Sequence, residues 1–275
     1  MSLPDPSQFV AAGQSAEVFR LDGGRVLKLF HAGIDPGIVE REYALMQAIQ
    51  GTGLPLAEAL GLEDMGDRRG IVYSEMAGPD LLVYLRQQPW RWRWALAQMA
   101  RLQQQIQAQQ VPRLRSRKAL LAEDIEMAPV GETLRAAAID RLEQLVEGDA
   151  LSHGDLHPAT LIVTPDGLAV IDWSRAARGA LSTDVVRTEM LMRFGPGQTG
   201  GQIGGWWEEK IRDRAAAYYV KRYRAVTGME PEALAAWRPL VALAWMRQRL
   251  PARDDGFALY LDAALVAAGL PAIDR

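Results

Sequence analysis

The 275 residues are 49% hydrophobic, enough to bury a sizeable core in one large domain or two lobes. A charged fraction of 24% and a net charge of -3 leave no broad basic field, which argues against nucleic acid or an anionic membrane as partner. The absence of cysteine removes disulfides, thiolate metal sites and cysteine nucleophiles, and the opening MSLPDPSQFV lacks the basic start and apolar run of a signal peptide; with no run long enough to span a bilayer, a cytoplasmic location is expected.

In chain order, a strand begins at Phe9 and Val10, and Ala12 to Ala16 is a loop of small residues containing Gly13 and Ser15. Glu17 to Leu21 reads as a second strand, and after a turn at Asp22-Gly23-Gly24 a third runs from Arg25 to Phe30. Small residues between two strands let backbone N–H groups approach an anion closely. One glycine falls short of a full GxGxxG, so a plain hairpin remains the alternative.

In Arg25-Val26-Leu27-Lys28-Leu29-Phe30 both faces are apolar apart from Lys28, and an ammonium on a covered strand needs a partner. Asp35 as N-cap and Pro36 at the first helical position start a helix that Gly51 stops. Ile38, Glu42, Leu45 and Ile49 form its predicted core stripe, which puts Glu42 on the apolar face and makes it the natural partner of Lys28. The alternative is that Lys28 snorkels to an edge and Glu42 sits on the rim.

Ile71 to Tyr73 is a further β-rich run, and Ser74 to Pro79 reads as a linker where strand-rich composition gives way to helix-rich. Two parts are therefore expected, an N-terminal lobe over 1–76 and a helical lobe over 77–275. A helix is predicted from Trp90 to Gln110 with Trp92, Leu96, Met99, Gln103 and Ile106 on one face. The alternating Trp90-Arg91-Trp92-Arg93-Trp94 is read as core tryptophans with solvated arginines and assigned no function. Arg113 to Lys118 reads as a solvated basic loop, and Ala119 to Glu147 as two helices broken near Pro129 and Gly131.

His153 to Arg175, HGDLHPATLIVTPDGLAVIDWSR, is the stretch richest in chemistry. Leu161 to Val163 and Leu168 to Ile171 are short apolar runs around a Thr164-Pro165-Asp166-Gly167 turn, so a hairpin is predicted with Asp155 before it and Asp172 after it. Folding it is expected to bring the two carboxylates to one end, where they repel unless a cation lies between them. Beyond Asp172 the chain reads as helical apart from the glycine-rich 195–205, which has no lysine for a Walker loop and is taken as a flexible lid or insertion. Pro231 starts a helix with Trp237, Val241, Ala244 and Gln248 on one face and Pro239 expected to kink it. With three histidines in the chain, a histidine-rich metal site is not expected.

A loop for phosphates, a strand lysine, a helix glutamate and two hairpin aspartates together suit one chemistry. Moving the γ-phosphoryl group of a nucleotide needs backbone donors over the phosphates, a fixed ammonium, divalent metal and a carboxylate facing the attacking hydroxyl.

These residues are similar to the aminoglycoside phosphotransferase and choline kinase branch of the protein-kinase-like fold. His153-Gly154-Asp155-Leu156-His157-Pro158 resembles that branch's catalytic loop, Ile171-Asp172-Trp173 its metal-binding segment, and Asp184-Val185-Val186-Arg187-Thr188 a helix start of its bacterial members. The resemblance implies a bilobal α+β fold, with an antiparallel-sheet N-lobe carrying one helix and a larger, mostly helical C-lobe. It implies an ATP- and Mg²⁺-dependent kinase acting on a hydroxyl of a small molecule, and is silent on oligomeric state. Asp155 would orient or deprotonate the acceptor hydroxyl, and Asp172 would be the principal Mg²⁺ ligand. Lys28, held by Glu42, would contact the α- and β-phosphates under the Gly13 and Ser15 loop. The Ser74 carbonyl and Met76 N–H would hold adenine, with Tyr73 behind it, while His153 and His157 would be structural.

Thr160 departs from the pattern, standing where asparagine is normal. Its hydroxyl is assigned to metal as a shorter ligand, and reduced metal affinity is expected. The same departure motivates the alternative function, a degenerate kinase fold that serves as a nucleotide-binding regulatory or interaction module with weak or no catalysis. Trp206, Trp207, Glu208, Glu209, Asp254 and Asp255 could suit a cationic acceptor, but core tryptophans with a solvated acidic edge are the preferred reading.

Overall fold

The computed structural model describes residues 4–13, 15–195, 206–248 and 254–273. The chain begins with β1 (Phe9–Ala12), β2 (Ala16–Leu21), β3 (Arg25–Phe30), α1 (Pro36–Gln50), β4 (Ala59–Met65), β5 (Arg68–Ser74) and α2 (Leu81–Gln87). It continues through α3 (Trp92–Gln107), α4 (Arg117–Glu126), α5 (Glu132–Gln144), β6 (Ala150–Ser152), β7 (Leu161–Thr164), β8 (Gly167–Val170) and β9 (Ala177–Gly179). Helices α6 (Leu181–Phe194), α7 (Trp206–Thr227), α8 (Pro231–Gln248) and α9 (Asp254–Ala268) complete it. The fold is mixed α+β, an antiparallel sheet followed by a mostly helical part. These elements form two compact units, one of Met1–Tyr84 with Ala159–Ser174, the other of Leu85–Pro158 with Arg175–Arg275.

The first unit is built on an antiparallel sheet in the order β1-β2-β3-β5-β4. Alternation along β3 sends Leu27 and Leu29 to one face, where they pack with Phe19, Met65 and Val72. Lys28 points to the opposite face beside its cross-strand partner Ile71. Helix α1 lies against β4 and β5, capped by the Asp35 carboxylate, which accepts the Gly37 N–H at 2.9 Å. Its buried stripe is Val39, Glu42, Met46 and Ile49. The predicted stripe is half right: Glu42 and Ile49 are buried as expected, but Val39 and Met46 take the places predicted for Ile38, which is 44% exposed, and Leu45.

The hairpin of β7 and β8 forms as expected, and the Thr164-Pro165-Asp166-Gly167 reversal sets its register with Leu161 opposite Val170. It is fastened to the first unit by backbone pairing. The Val163 N–H donates to the Pro79 carbonyl at 2.9 Å and the Val170 N–H to the Pro55 carbonyl at 2.8 Å. Gly78 at φ 140° makes this approach possible, because a Cβ there would overlap the Val163 carbonyl oxygen.

In the second unit α6 is buried along most of its length and packs on α7 and α8, with α3 on α7, α4 on α5 and α8, and α9 on α8. Strands β6 and β9 form a separate antiparallel pair. The tryptophan run differs from expectation: Pro89–Arg91 is a 3₁₀ turn and Trp90 is 72% exposed, so it is no core residue. The neighbouring arginines lie over the indoles instead, Arg93 over Trp92 and Arg91 over Trp94. In α8, Trp237, Val241 and Ala244 are buried as the periodicity requires, and Pro239 lies inside the helix. The glycine-rich 196–205, Gln14, and the side chains of Trp206, Trp207, Glu208, Gln248, Asp254 and Asp255 lie outside the described residues. Among the described residues no helix is long and apolar enough to cross a membrane.

Candidate active site

The first unit fixes an ammonium between two carboxylates. Lys28 Nζ donates to Glu42 Oε1 at 2.7 Å and lies 3.4 Å from Asp172 Oδ1. The pair is largely withdrawn from water, with side chains 19% and 8% exposed. Burial alone would lower the Lys28 pKa, but Asp172 and Glu42 more than offset it and hold the group above its ordinary value. The Tyr73 hydroxyl donates to the same Glu42 oxygen at 3.3 Å. Burial first, and Glu42 second, push its pKa far up, so it remains a donor. Lys28 therefore does not snorkel outward: strand alternation drives it inward, where α1 supplies Glu42.

Asp172 sits just past β8 with φ 61°, a left-handed conformation that costs a non-glycine residue about 1–3 kcal/mol. The Ser174 hydroxyl donates to Asp172 Oδ1 at 2.9 Å, and the Asp172 side chain stays 45% exposed. Such a conformation persists only where the surrounding contacts hold it, here the Ser174 hydroxyl and the Lys28 ammonium. Thr160 ends the 3₁₀ turn Pro158–Thr160 and is 5% exposed. Its carbonyl accepts the Ile171 N–H at 3.0 Å, which places its backbone one residue from Asp172 in register.

At the other positions expected to face phosphate, the Gly13 N–H donates to the Ala16 carbonyl at 2.8 Å, closing the loop between β1 and β2. The Ser15 carbonyl accepts the His31 N–H, and His31 Nε2 lies 3.3 Å from the Gly13 carbonyl. Ser74 ends β5, where its hydroxyl accepts the Glu58 N–H at 2.9 Å. Between Ser74 and Met76, the Glu75 N–H is taken by the Gly24 carbonyl at 2.8 Å. Gly13, Ser15, Lys28, Glu42, Ser74, Met76, Thr160 and Asp172 all belong to the first unit, and Asp155 to the second.

The loop carrying Asp155 is braced by buried polar groups. Asp184 on α6, 1% exposed, accepts the His153 N–H at 3.1 Å and the Gly154 N–H at 2.7 Å. Gln103, the polar member of the α3 stripe, donates to the same carboxylate at 3.1 Å. His153 is fully buried, and its Nδ1 accepts the Asp155 N–H at 3.2 Å, an arrangement that leaves the ring proton on Nε2. Gly154, at φ 79°, has no room for a Cβ because the Arg117 guanidinium lies against it.

Two arginines here make inward contacts that the sequence did not show, although Arg187 lies in the 184–188 segment singled out there. Arg117 opens α4, donating to the Arg175 carbonyl at 2.6 Å and the Ser152 hydroxyl at 3.2 Å. The expected solvated loop at 113–118 is thus corrected, since Ser116 caps a helix there and turns Arg117 inward. Burial pushes the Arg117 pKa down, with Asp184 opposing. Arg187 on α6 donates from Nε to the Gly154 carbonyl at 2.8 Å and sets Nη2 3.5 Å from Asp155 Oδ1. Burial lowers its pKa to about 10, against the pull of Asp155, so it stays charged at neutral pH. Both arginines line a cavity of about 30 Å³, room for water alone. A helical arginine is ordinarily solvated, and nothing local in the sequence marks these two as inward.

The sequence profile of the phosphotransferase enzyme family matches residues 7–240. The chain belongs to this family. Its fold is shared with an aminoglycoside-3'-phosphotransferase of type VIII at TM-score 0.59 and 16% identity, over 86% of this chain and 93% of that one. An amicoumacin kinase, solved with AMP-PNP, Ca²⁺ and Ami, aligns at TM-score 0.58 and 15% identity over 94% and 88% of the two chains. A choline/ethanolamine kinase family protein from Mesorhizobium loti gives TM-score 0.53 and 14% identity over 94% and 85%. No curated protein matches the chain in sequence. At these identities the likeness establishes the bilobal protein-kinase-like fold.

Among the described residues no group of three or more His, Cys, Asp or Glu is placed to hold a metal. The Asp172 carboxylate, 45% exposed beside the Lys28 ammonium, is nevertheless an oxygen ligand of the kind Mg²⁺ takes when phosphate and water complete its shell, and it fits that ion.

Proposed function

We propose that the chain is an ATP-dependent phosphotransferase that moves the γ-phosphoryl group to a hydroxyl of a small molecule. The observation that carries the reading is Lys28, an ammonium held at 2.7 Å by buried Glu42 and at 3.4 Å from Asp172 on a strained backbone. Family membership supports it. In this reading Lys28 binds the α- and β-phosphates, the loop of Gly13 and Ser15 covers them, and the Ser74 carbonyl and Met76 N–H take adenine. Asp172 and Thr160 hold Mg²⁺, which when bound offsets charge on the phosphoryl oxygens. Asp155 orients the acceptor hydroxyl and accepts its proton. Nucleotide binding is thereby assigned to 1–76, acceptor chemistry to 77–275, and the protein to the cytoplasm.

The test is transfer of labelled phosphate from Mg²⁺-ATP to streptomycin, gentamicin, choline and a panel of amino alcohols and sugars. Turnover with at least one acceptor is expected, reduced about 10²–10⁴-fold in Asp155→Ala. No transfer to any acceptor would overturn the reading. One observation favours the second reading, a nucleotide-binding module with weak or no catalysis: Thr160 is nearly fully buried where a longer amide would reach further.

A further inference from the structure

We infer that Arg187 is a positioning residue for Asp155, setting which carboxylate oxygen meets the acceptor hydroxyl; this rests on the phosphotransferase reading above. Its fork spans one peptide unit. Nε donates to the Gly154 carbonyl at 2.8 Å while Nη2 lies 3.5 Å from Asp155 Oδ1. The carbonyl just before the reacting residue and that residue's carboxylate are thus addressed by a single rigid plane, which favours one orientation of the carboxylate. Hydrogen bonds at catalytic carboxylates are commonly long without substrate and tighten when it binds.

The plane is itself held. It lies over the indole of Trp245 on α8, 5.7 Å from the ring centroid, and the Arg187 side chain is 16% exposed. A purely structural arginine in this position would need only the carbonyl contact. Burying a guanidinium beside Asp155 is costly unless the pairing has a use. Asp184 and His153 accept the N–H groups of residues 153 to 155. Arg187, which can only donate, meets the loop's acceptors instead, the Gly154 carbonyl and the Asp155 carboxylate.

The test compares wild type, Arg187→Met and Arg187→Lys, with Arg238→Met as a structural control. Arg238 pairs with Glu189, also on α6, at 3.1 Å. Turnover of Mg²⁺-ATP is followed with streptomycin, gentamicin, choline and water as acceptors, alongside Tm. Arg187→Met is expected to lower kcat about 10–100-fold with KM for ATP changed less than about twofold. Arg187→Lys, which keeps charge but not the fork, should fall between it and wild type. Arg238→Met should lower Tm and leave kcat within about threefold. The inference is overturned if Arg187→Met retains kcat within about threefold of wild type, or if both Arg187 variants lose kcat equally and only in step with Tm. A silent wild type instead overturns the phosphotransferase reading, and this inference with it.

Discussion

Lys28 was legible because one charge interrupts an otherwise apolar strand, and its partner because one glutamate falls on a helix's buried face. Breaking such a pair leaves a buried charge unmatched, so Lys28→Met should destabilise the protein by about 3 kcal/mol in urea unfolding. Adding Glu42→Leu should recover most of that loss, a coupling that a double-mutant cycle measures. Because the folded pKa of Lys28 is raised, the stabilisation is complete below its ordinary value of 10.5 and is lost as pH rises through the folded value. The Tm gap between wild type and Lys28→Met should therefore stay constant from pH 7 to about pH 10 and narrow above it. The inward contacts of Arg117 and Arg187 stayed hidden, even with Arg187 inside the 184–188 segment, because inward and outward arginines look alike in a helical sequence; only tertiary partners such as the Arg175 and Gly154 carbonyls distinguish them.

Among the elements, the β7–β8 hairpin was plain from its Pro-Asp-Gly reversal, whereas β4 was missed. ALGLEDM carries a glycine and two acids, and as an edge strand it buries few of its residues. Three-residue β6 and β9 carry too little pattern to be read at all. The hairpin's attachment rests on Gly78, whose residue type the sequence displayed without its reason. Gly78→Ala should lower stability by about 2–3 kcal/mol, since the clash is with backbone that has no rotamer to yield. Amide exchange at Val163 and Val170 should rise more than exchange at Leu27 in the sheet core. Equal rises everywhere would mean that the hairpin is not the part loosened.

For the whole molecule, the bilobal fold was an expectation of the family resemblance carried by residues 153–158, 171–173 and 184–188, and much of the helical part followed from periodicity. Nucleotide binding should couple to global stability. At 100 times its Kd a ligand of the folded state adds about 2.7 kcal/mol, so ATP with Mg²⁺ should raise Tm by several degrees. A shift of the same size with and without Mg²⁺ would favour the non-catalytic module. Thr160→Asn then separates the two outcomes further, because a weakened enzyme gains metal-dependent turnover and a retired one does not.

The chain passes between the two units three times, at 84–85, 158–159 and 174–175. A gene fusion that exchanged only the first 84 residues with a relative would seat a foreign sheet on the original hairpin, with Pro55, Gly78 and Pro79 replaced beneath Val163 and Val170. Inheritance of the first unit therefore requires two separate stretches of sequence to travel together, and viable chimeras within this family should cluster at paired breakpoints.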